Sequence, residues 1–411
     1  MNKELKNFLQ YGYTPFAVCD IGEKFLSAHG FEKVSAYALP ELKKGGKYFL
    51  SDGGTLVAFA VNKPDGFTIA AAHTDSPTLK IKGGKTLGTS PARLNCEVYG
   101  GAIDYTFFDR PLKICGRLYF DEGGKITARD VVSPYFVTVP SLAIHLQRDV
   151  NGSFAPSVQN DLSPILGETS SYLTSLGGDK AIDFDLYACP ASEPYESGEN
   201  GEYVCSPRID NLTSVYSSLV ALTRAKPAGI SVAVCFNSEE VGSRTRTAAA
   251  SAFFPRLLEK IFRAANGKDY DACLNNSFMF SADNAHAAHP AHPEKSDPIN
   301  QVKLGGGIVI KRHTNYATDA LTAAVAKKIF AAADVPVQEF YSHSDQPCGS
   351  TIGLISAANT LIRTCDIGIG QLAMHSASET CRADDIDAMT KGLTAALQTA
   401  IRFEGGGAEI K

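Results

Sequence analysis

The sequence predicts an α/β fold: a mixed, mostly parallel sheet with helices on both faces, plus an inserted β-rich domain. Three observations predict it. Short, almost wholly apolar runs recur at 67–72, 230–236, 278–280, 308–310 and 361–369. Helix-period stripes lie between several of them. Residues 84–194 have little helical period and are broken by frequent turn signals. Apolar strands alternating with helices mean a sheet buried on both faces.

Taken in order, the first 40 residues read as helices, with Leu5, Phe8 and Leu9 on one face and Val18, Ile21, Phe25 and Leu26 on another. The run 67–72 is a buried strand. From 84 to 194, strand-like pieces at 112–115, 117–120 and 136–139 are separated by Gly100-Gly101, Asn151-Gly152 and Gly177-Gly178. The Glu-, Ser-, Gly- and Pro-rich stretch 191–201 reads as the exit linker. Beyond it, Leu212, Val215, Tyr216, Leu219 and Leu222 share one helix face, and Leu321, Val325 and Ile329 another. Ile386, Met389, Leu393, Leu397 and Ile401 form a last stripe, with Asp384 as the expected cap. The division is therefore 1–83 with 195–411 as one domain and 84–194 as the insert.

The 411 residues suffice for two or three cores. With 39 basic and 44 acidic side chains the net charge is −5, which argues against a nucleic-acid partner. No run approaches the ~20 apolar residues of a membrane span, and residues 1–10 have no signal-peptide core. The ten cysteines form no C-x-x-C pair, and several lie in apolar runs, so a reducing cytoplasmic setting is expected.

Chemistry gathers where the strands end. His73-Thr74-Asp75 follows the first strand, Glu239-Glu240 the second and Asp283-Asn284 the third; His375 comes a Gly turn after the run 361–369. Asp210 opens the helix near Leu212. In open α/β sheets ligands bind beyond the carboxyl ends of the strands. Imidazole and carboxylate suit zinc, with cobalt or manganese as alternatives. There are too many acids for one tetrahedral ion, which suggests two ions sharing a carboxylate; one of Glu239 and Glu240 would bind metal and the other carry a proton. Taken singly, each site has an ordinary reading as a helix cap or solvated turn; five together do not. The repeat His286, His289, His292 is broken by Pro290 and Pro293 and reads as a loop. Gly305-Gly306-Gly307 lacks a following Gly-Lys-Ser/Thr, no His-Glu-x-x-His occurs, and no Gly-x-Ser-x-Gly elbow supports a serine hydrolase.

The residues resemble the aspartyl aminopeptidases, within the co-catalytic two-zinc aminopeptidases of the tetrahedral-dodecamer type. The resemblance runs through nearly the whole chain and is carried by Ala72-His73-Thr74-Asp75-Ser76-Pro77, Ser141-Leu142-Ala143-Ile144-His145-Leu146-Gln147-Arg148, Pro207-Arg208-Ile209-Asp210-Asn211, Glu239-Glu240-Val241-Gly242-Ser243, Ser281-Ala282-Asp283-Asn284-Ala285-His286, Pro347-Cys348-Gly349-Ser350-Thr351-Ile352-Gly353 and Gln371-Leu372-Ala373-Met374-His375-Ser376. It implies a zinc-peptidase type of α/β fold and two Zn²⁺ per subunit, with Co²⁺ or Mn²⁺ as alternatives at one site. His73 and Asp283 would hold one ion, Glu240 and His375 the other, and Asp210 would bridge. Asp75 would orient His73, and Glu239 would be the general base. His145, in the insert, would reach a neighbouring subunit's site, and Lys311 would meet an acidic side chain of the substrate. The insert would pair subunits into dimers that build a homo-dodecamer. Two departures bear on the side-chain pocket: the segment 311–316 is short, and 343–345 reads His-Ser-Asp.

The function expected is removal of N-terminal, acidic residues from peptide substrates. The rival readings are a related aminopeptidase of neutral or basic preference, and a non-catalytic shell or binding protein keeping the fold.

Overall fold

The computed structural model describes residues 1–168 and 171–411. Its main sheet has nine strands, in the order Glu32–Lys33, Lys47–Asp52, Thr55–Val61, Ile230–Phe236, Phe67–His73, Phe278–Ala282, Arg363–Gly368, Ile308–Arg312 and Val337–Tyr341. Five of its eight pairings are parallel, and three are antiparallel. The fold class is thus as the apolar runs predict.

Successive side chains on a strand point to opposite faces, so each central strand divides its residues between two cores. Leu56, Ala58, Ala70, Ala72, Ala233 and Cys235 face one core, packed by Lys3–Tyr11, Pro15–Ala28, Ile209–Arg224, Ala320–Ala332 and Ala383–Leu397. Val57, Phe59, Ile69, Val232, Val234 and Phe236 face the other, packed by Phe253–Ala264, Tyr270–Asn275 and Ile352–Thr360. Small residues dominate where Ile209–Arg224 crosses the sheet centre, which lets the helix lie close.

A second sheet is antiparallel and holds Cys96–Tyr99, Thr78–Ile81, Ala181–Pro190, Leu112–Asp121 and Ile126–Val132, over its own core of Leu79, Ile114, Leu118, Tyr172 and Leu186. It begins at Thr78, ahead of the expected boundary at 84. A smaller five-stranded sheet holds Tyr195–Ser197, Tyr203–Ser206, Glu379–Arg382, Gly370–Leu372 and Ala285–His286. The stretch expected as an exit linker is therefore partly a hairpin: Tyr195–Ser197 pairs antiparallel with Tyr203–Ser206, and Gly198 and Gly201 supply the left-handed backbone of the turn. Asp384 is not the cap of the last long helix. Arg382 occupies that position, and Asp384 sits in the first turn with its carboxylate 3.0 Å from the Arg382 guanidinium. All ten cysteines are free, nine of them buried.

Candidate metal centre

Three adjacent parallel strands, Ile230–Phe236, Phe67–His73 and Phe278–Ala282, end on the same edge of the sheet. Their ends deliver Glu239 and Glu240, His73, and Asp283 to one place. Asp210 arrives at the irregular start of Ile209–Arg224: Asp210 and Asn211 are non-helical, so the regular helix begins at Leu212. Arg208 fixes this entry. Its buried guanidinium donates to the carbonyls of Leu9 and Pro190 and lies over the Tyr13 ring. His375 follows Gly370–Leu372 on a turn, in left-handed backbone with φ of 69°.

Among the described residues the side chains meet in three groups: two triads sharing Asp210, namely His73, Asp210 and Asp283, and Asp210, Glu240 and His375, and a third of His73, Glu239 and Glu240. His73 Nε2 lies 3.4 Å from Asp210 Oδ1 and 3.5 Å from Asp283 Oδ1. His375 Nε2 lies 3.4 Å from Asp210 Oδ2 and 3.5 Å from Glu240 Oε1. Charge-assisted hydrogen bonds run at about 2.7–2.9 Å, so these are poor ion pairs. They match the donor–donor edge of a tetrahedron with zinc–ligand bonds of about 2.0–2.1 Å, which is about 3.3–3.4 Å. Each ring turns its Nδ1 to a backbone carbonyl at 3.0 Å, that of Asp75 for His73 and that of Gly101 for His375. With Nδ1–H donating to that carbonyl, a neutral ring presents Nε2 as a lone-pair donor. Asp210 Oδ1 and Glu240 Oε1 are buried without a hydrogen-bond partner. The donor set therefore fits zinc.

Charge makes the same case. Asp75, Asp210, Glu239, Glu240, Asp283 and Glu379 gather about the two rings, and the Lys311 ammonium meets the cluster at Asp283. With both rings neutral, as metal ligation needs, and all six acids ionised, five negative charges are in excess of that ammonium, and two dications would offset four of them. Burial, reinforced by the neighbouring acids, pushes the Glu239 carboxyl up to about 8. Burial works against charging His375, but Asp210 and Glu240 outweigh it and raise the ring to about 10. His73 is likewise held well above its ordinary value by Asp210, Asp283 and Asp75, against the pull of burial.

Asp75 does more than face His73. Its carboxylate is 3.6 Å from the ring, and it accepts the backbone N–H groups of Glu239 at 3.0 Å and Glu240 at 3.1 Å and the Tyr99 hydroxyl at 2.9 Å. It thereby holds the turn that presents both glutamates. Lys311 lines the same cavity but is already engaged. Its buried ammonium donates to the Asn284 carbonyl at 2.9 Å, the Asp283 carbonyl at 3.2 Å and Asp283 Oδ2 at 3.4 Å. His145 lies in an exposed turn and does not line the cavity of its own chain. The cavity, about 130 Å³, is also lined by His286, Tyr316, Phe340, Ser350 and Met374. His286, which the proline-broken repeat reads as loop, instead ends the short strand Ala285–His286 and lines the cavity; its place three residues after Asp283 is the signal the sequence offers. No motif in the sequence singles out Glu379 or Tyr99.

A mixed sheet with imidazole and carboxylate donors gathered at the ends of its parallel strands places the protein in the class of metal-dependent α/β enzymes. The profile described as "Aminopeptidase I zinc metalloprotease (M18)" matches residues 8–175 and 168–395. "Probable M18 family aminopeptidase 2" of Clostridium acetobutylicum is 38% identical, over 92% of this chain and 94% of that protein. The protein of the same name from Pseudomonas savastanoi pv. phaseolicola is 34% identical, over 96% and 97%. Among solved structures, that of an Ape4 and Nbr1 complex superposes with a TM-score of 0.90 at 29% identity, covering 96% of this chain and 85% of that one. An M18 aminopeptidase from Thermotoga maritima superposes at 0.85 and 23% identity, covering 96% and 95%. The chain belongs to the M18 family and is a zinc-dependent aminopeptidase.

Proposed function

We propose that this aminopeptidase uses two zinc ions and a glutamate base to remove acidic N-terminal residues from peptides. The observation that carries the metal pair is the Asp210 carboxylate, which turns one oxygen to His73 and the other to His375. One ion would be held by His73, Asp210 and Asp283, the other by Asp210, Glu240 and His375. Cobalt or manganese is the alternative at one position. When bound, the pair polarises the scissile carbonyl and makes a water acidic enough to attack.

The chain's own groups do the rest. Asp75 fixes the backbone of Glu239, whose carboxyl lies within 4.8 Å of donor atoms of His73 and Glu240. From there Glu239 takes the proton of the attacking water and passes it to the leaving amine. Lys311 gives the cavity wall a cationic edge suited to an Asp or Glu side chain, while burial and the Lys311 ammonium hold the neighbouring His286 ring neutral.

The reading extends to assembly. Leu142, Ile144 and Leu146, which flank His145 in the sequence, are exposed, an apolar segment suited to burial against another copy of the chain. The S. cerevisiae mApe1 structure, 23% identical with a TM-score of 0.82, is described as a dodecamer. A dimer-built dodecamer would bring His145 to a partner subunit's site and limit access to short peptides.

Matched Asp, Glu, Leu and Lys aminoacyl substrates, assayed with the apo, zinc, cobalt and manganese forms, test the proposal. A preference for Asp and Glu with two ions per chain is expected. A preference for Leu or Lys overturns the acidic specificity, and saturation at one ion per chain overturns the pair.

A further inference from the structure

The two donor triads are supported differently. His73 ends a central strand and stands opposite Phe236 in the ladder. The backbone N–H of Asp283 donates to the carbonyl of Ile367 at 2.8 Å, continuing the ladder of the next strand pair. The main sheet itself thus fixes the two residues unique to the first triad. Asp210 and His375 have no such ladder. Asp210 lies in the non-helical entry to its helix, and His375 adopts left-handed backbone on a turn.

One side chain supplies what the ladder does not. Glu379 is 1% exposed and opens the strand Glu379–Arg382, opposite Ser206. Its Oε2 accepts the N–H of Asp210 at 2.9 Å, and its Oε1 accepts the N–H of His375 at 2.6 Å. A buried N–H without an acceptor is costly, so one carboxylate satisfies both and fixes the distance between the two ligand backbones. Neither His73 nor Asp283 has a hydrogen bond to Glu379 among the described contacts.

We propose that Glu379 is a positioning residue that acts chiefly on the metal position formed by Asp210, Glu240 and His375, where it holds two of the three ligands, and less on the other, where it holds only the shared Asp210. The inference rests on the two-ion reading above. Glutamine at this position offers one acceptor oxygen and one N–H₂, so one ligand backbone loses its acceptor and faces a donor. Outer groups that orient ligands commonly control about 10–100-fold in metal affinity.

The test is a graded chelator titration of zinc-loaded protein, read by elemental analysis, with absorption spectra of the cobalt-loaded forms. His375→Ala and Asp283→Ala serve as references for loss at each position. Glu379→Gln is expected to weaken one of two ions about 10–100-fold, weaken the other clearly less through the shared Asp210, and bring the cobalt spectrum closer to that of His375→Ala than to that of Asp283→Ala. Equal weakening of both ions, unchanged affinity for both, or a spectrum matching Asp283→Ala overturns the inference while the pair stands. A wild type that binds only one ion overturns the pair and the inference together. Should Glu379→Gln fail to fold, Glu379→Asp carries the test: it keeps the charge but is one methylene too short to reach both N–H groups, and the same unequal loss is expected.

Discussion

Replacing Glu239 by Gln separates proton transfer from metal binding. The N–H that anchors residue 239 donates to Asp75 Oδ1 at 3.0 Å, and a side-chain amide leaves that bond in place. The close donor edges of 3.4–3.5 Å run among His73, Asp210, Asp283, Glu240 and His375 without Glu239. The variant should therefore bind the same quantity of zinc. It should not turn over, because an amide of the same size cannot accept the proton of water. A positioned general base contributes ~10²–10⁴-fold, equivalent to about 3–5 kcal/mol in the barrier. The assay is kcat on an acidic aminoacyl chromogenic substrate, with metal content measured on the same sample. A kcat within tenfold of wild type, at full metal occupancy, refutes the base assignment. Loss of metal in parallel with activity would mean that Glu239 is a ligand, and would refute the division of labour between the two glutamates.

Four further outcomes are expected. Asp210→Ala should lose more metal than any other single ligand change, because both triads share it; unchanged stoichiometry after dialysis removes the bridge. His145→Ala should lower activity without lowering metal content, and subunit exchange with Glu239→Gln should restore part of it; no recovery in exchanged hybrids counts against a shared site. Lys311→Ala should lower kcat/KM more for Asp and Glu substrates than for Leu and Lys, since loss of a buried charge partner costs about 2–5 kcal/mol. Its contact with Asp283 predicts some loss on all four, and an equal loss on all four takes Lys311 out of specificity. Gly353→Ala should destabilise the fold by about 1–3 kcal/mol, as overpacking does, because the added carbon would lie 2.0 Å from Asp366 Oδ1; an unchanged urea midpoint refutes that.

What the sequence reveals here follows from how far each signal reaches along the chain. Central strands are legible because burial on both faces makes them apolar at every position, as in 67–72 and 230–236. The strand-end acids and histidines are legible only as a set: each alone reads as a helix cap or solvated turn, and it is the recurrence of such groups at five strand ends and helix starts that points to a metal. The exit from the insert is less so. Glu, Ser, Gly and Pro compose hairpins as readily as linkers, and only pairing across space, Tyr195 opposite Cys205, separates the two.

Glu379 and Lys311 mark where local reading stops. Glu379 sits in Ser378-Glu379-Thr380, a polar tripeptide like many on a surface, yet it is buried between two backbone segments remote from each other in sequence. No period or motif records that an acid is aimed at main-chain N–H groups. Lys311 is the converse. Its place at the end of the apolar run 308–310 marks it as unusual, but whether its ammonium is free for a substrate depends on acceptors contributed by Asp283 and Asn284. With all three donors engaged, its effect on an acidic substrate comes through field more than through a new hydrogen bond. That separates two tests usually run as one. A Lys311→Arg variant keeps the charge but not the compact ammonium, so it should retain much of the preference for Asp over Leu while losing turnover on both through a displaced Asp283. Loss of the preference with turnover intact would instead show that Lys311 meets the substrate carboxylate directly.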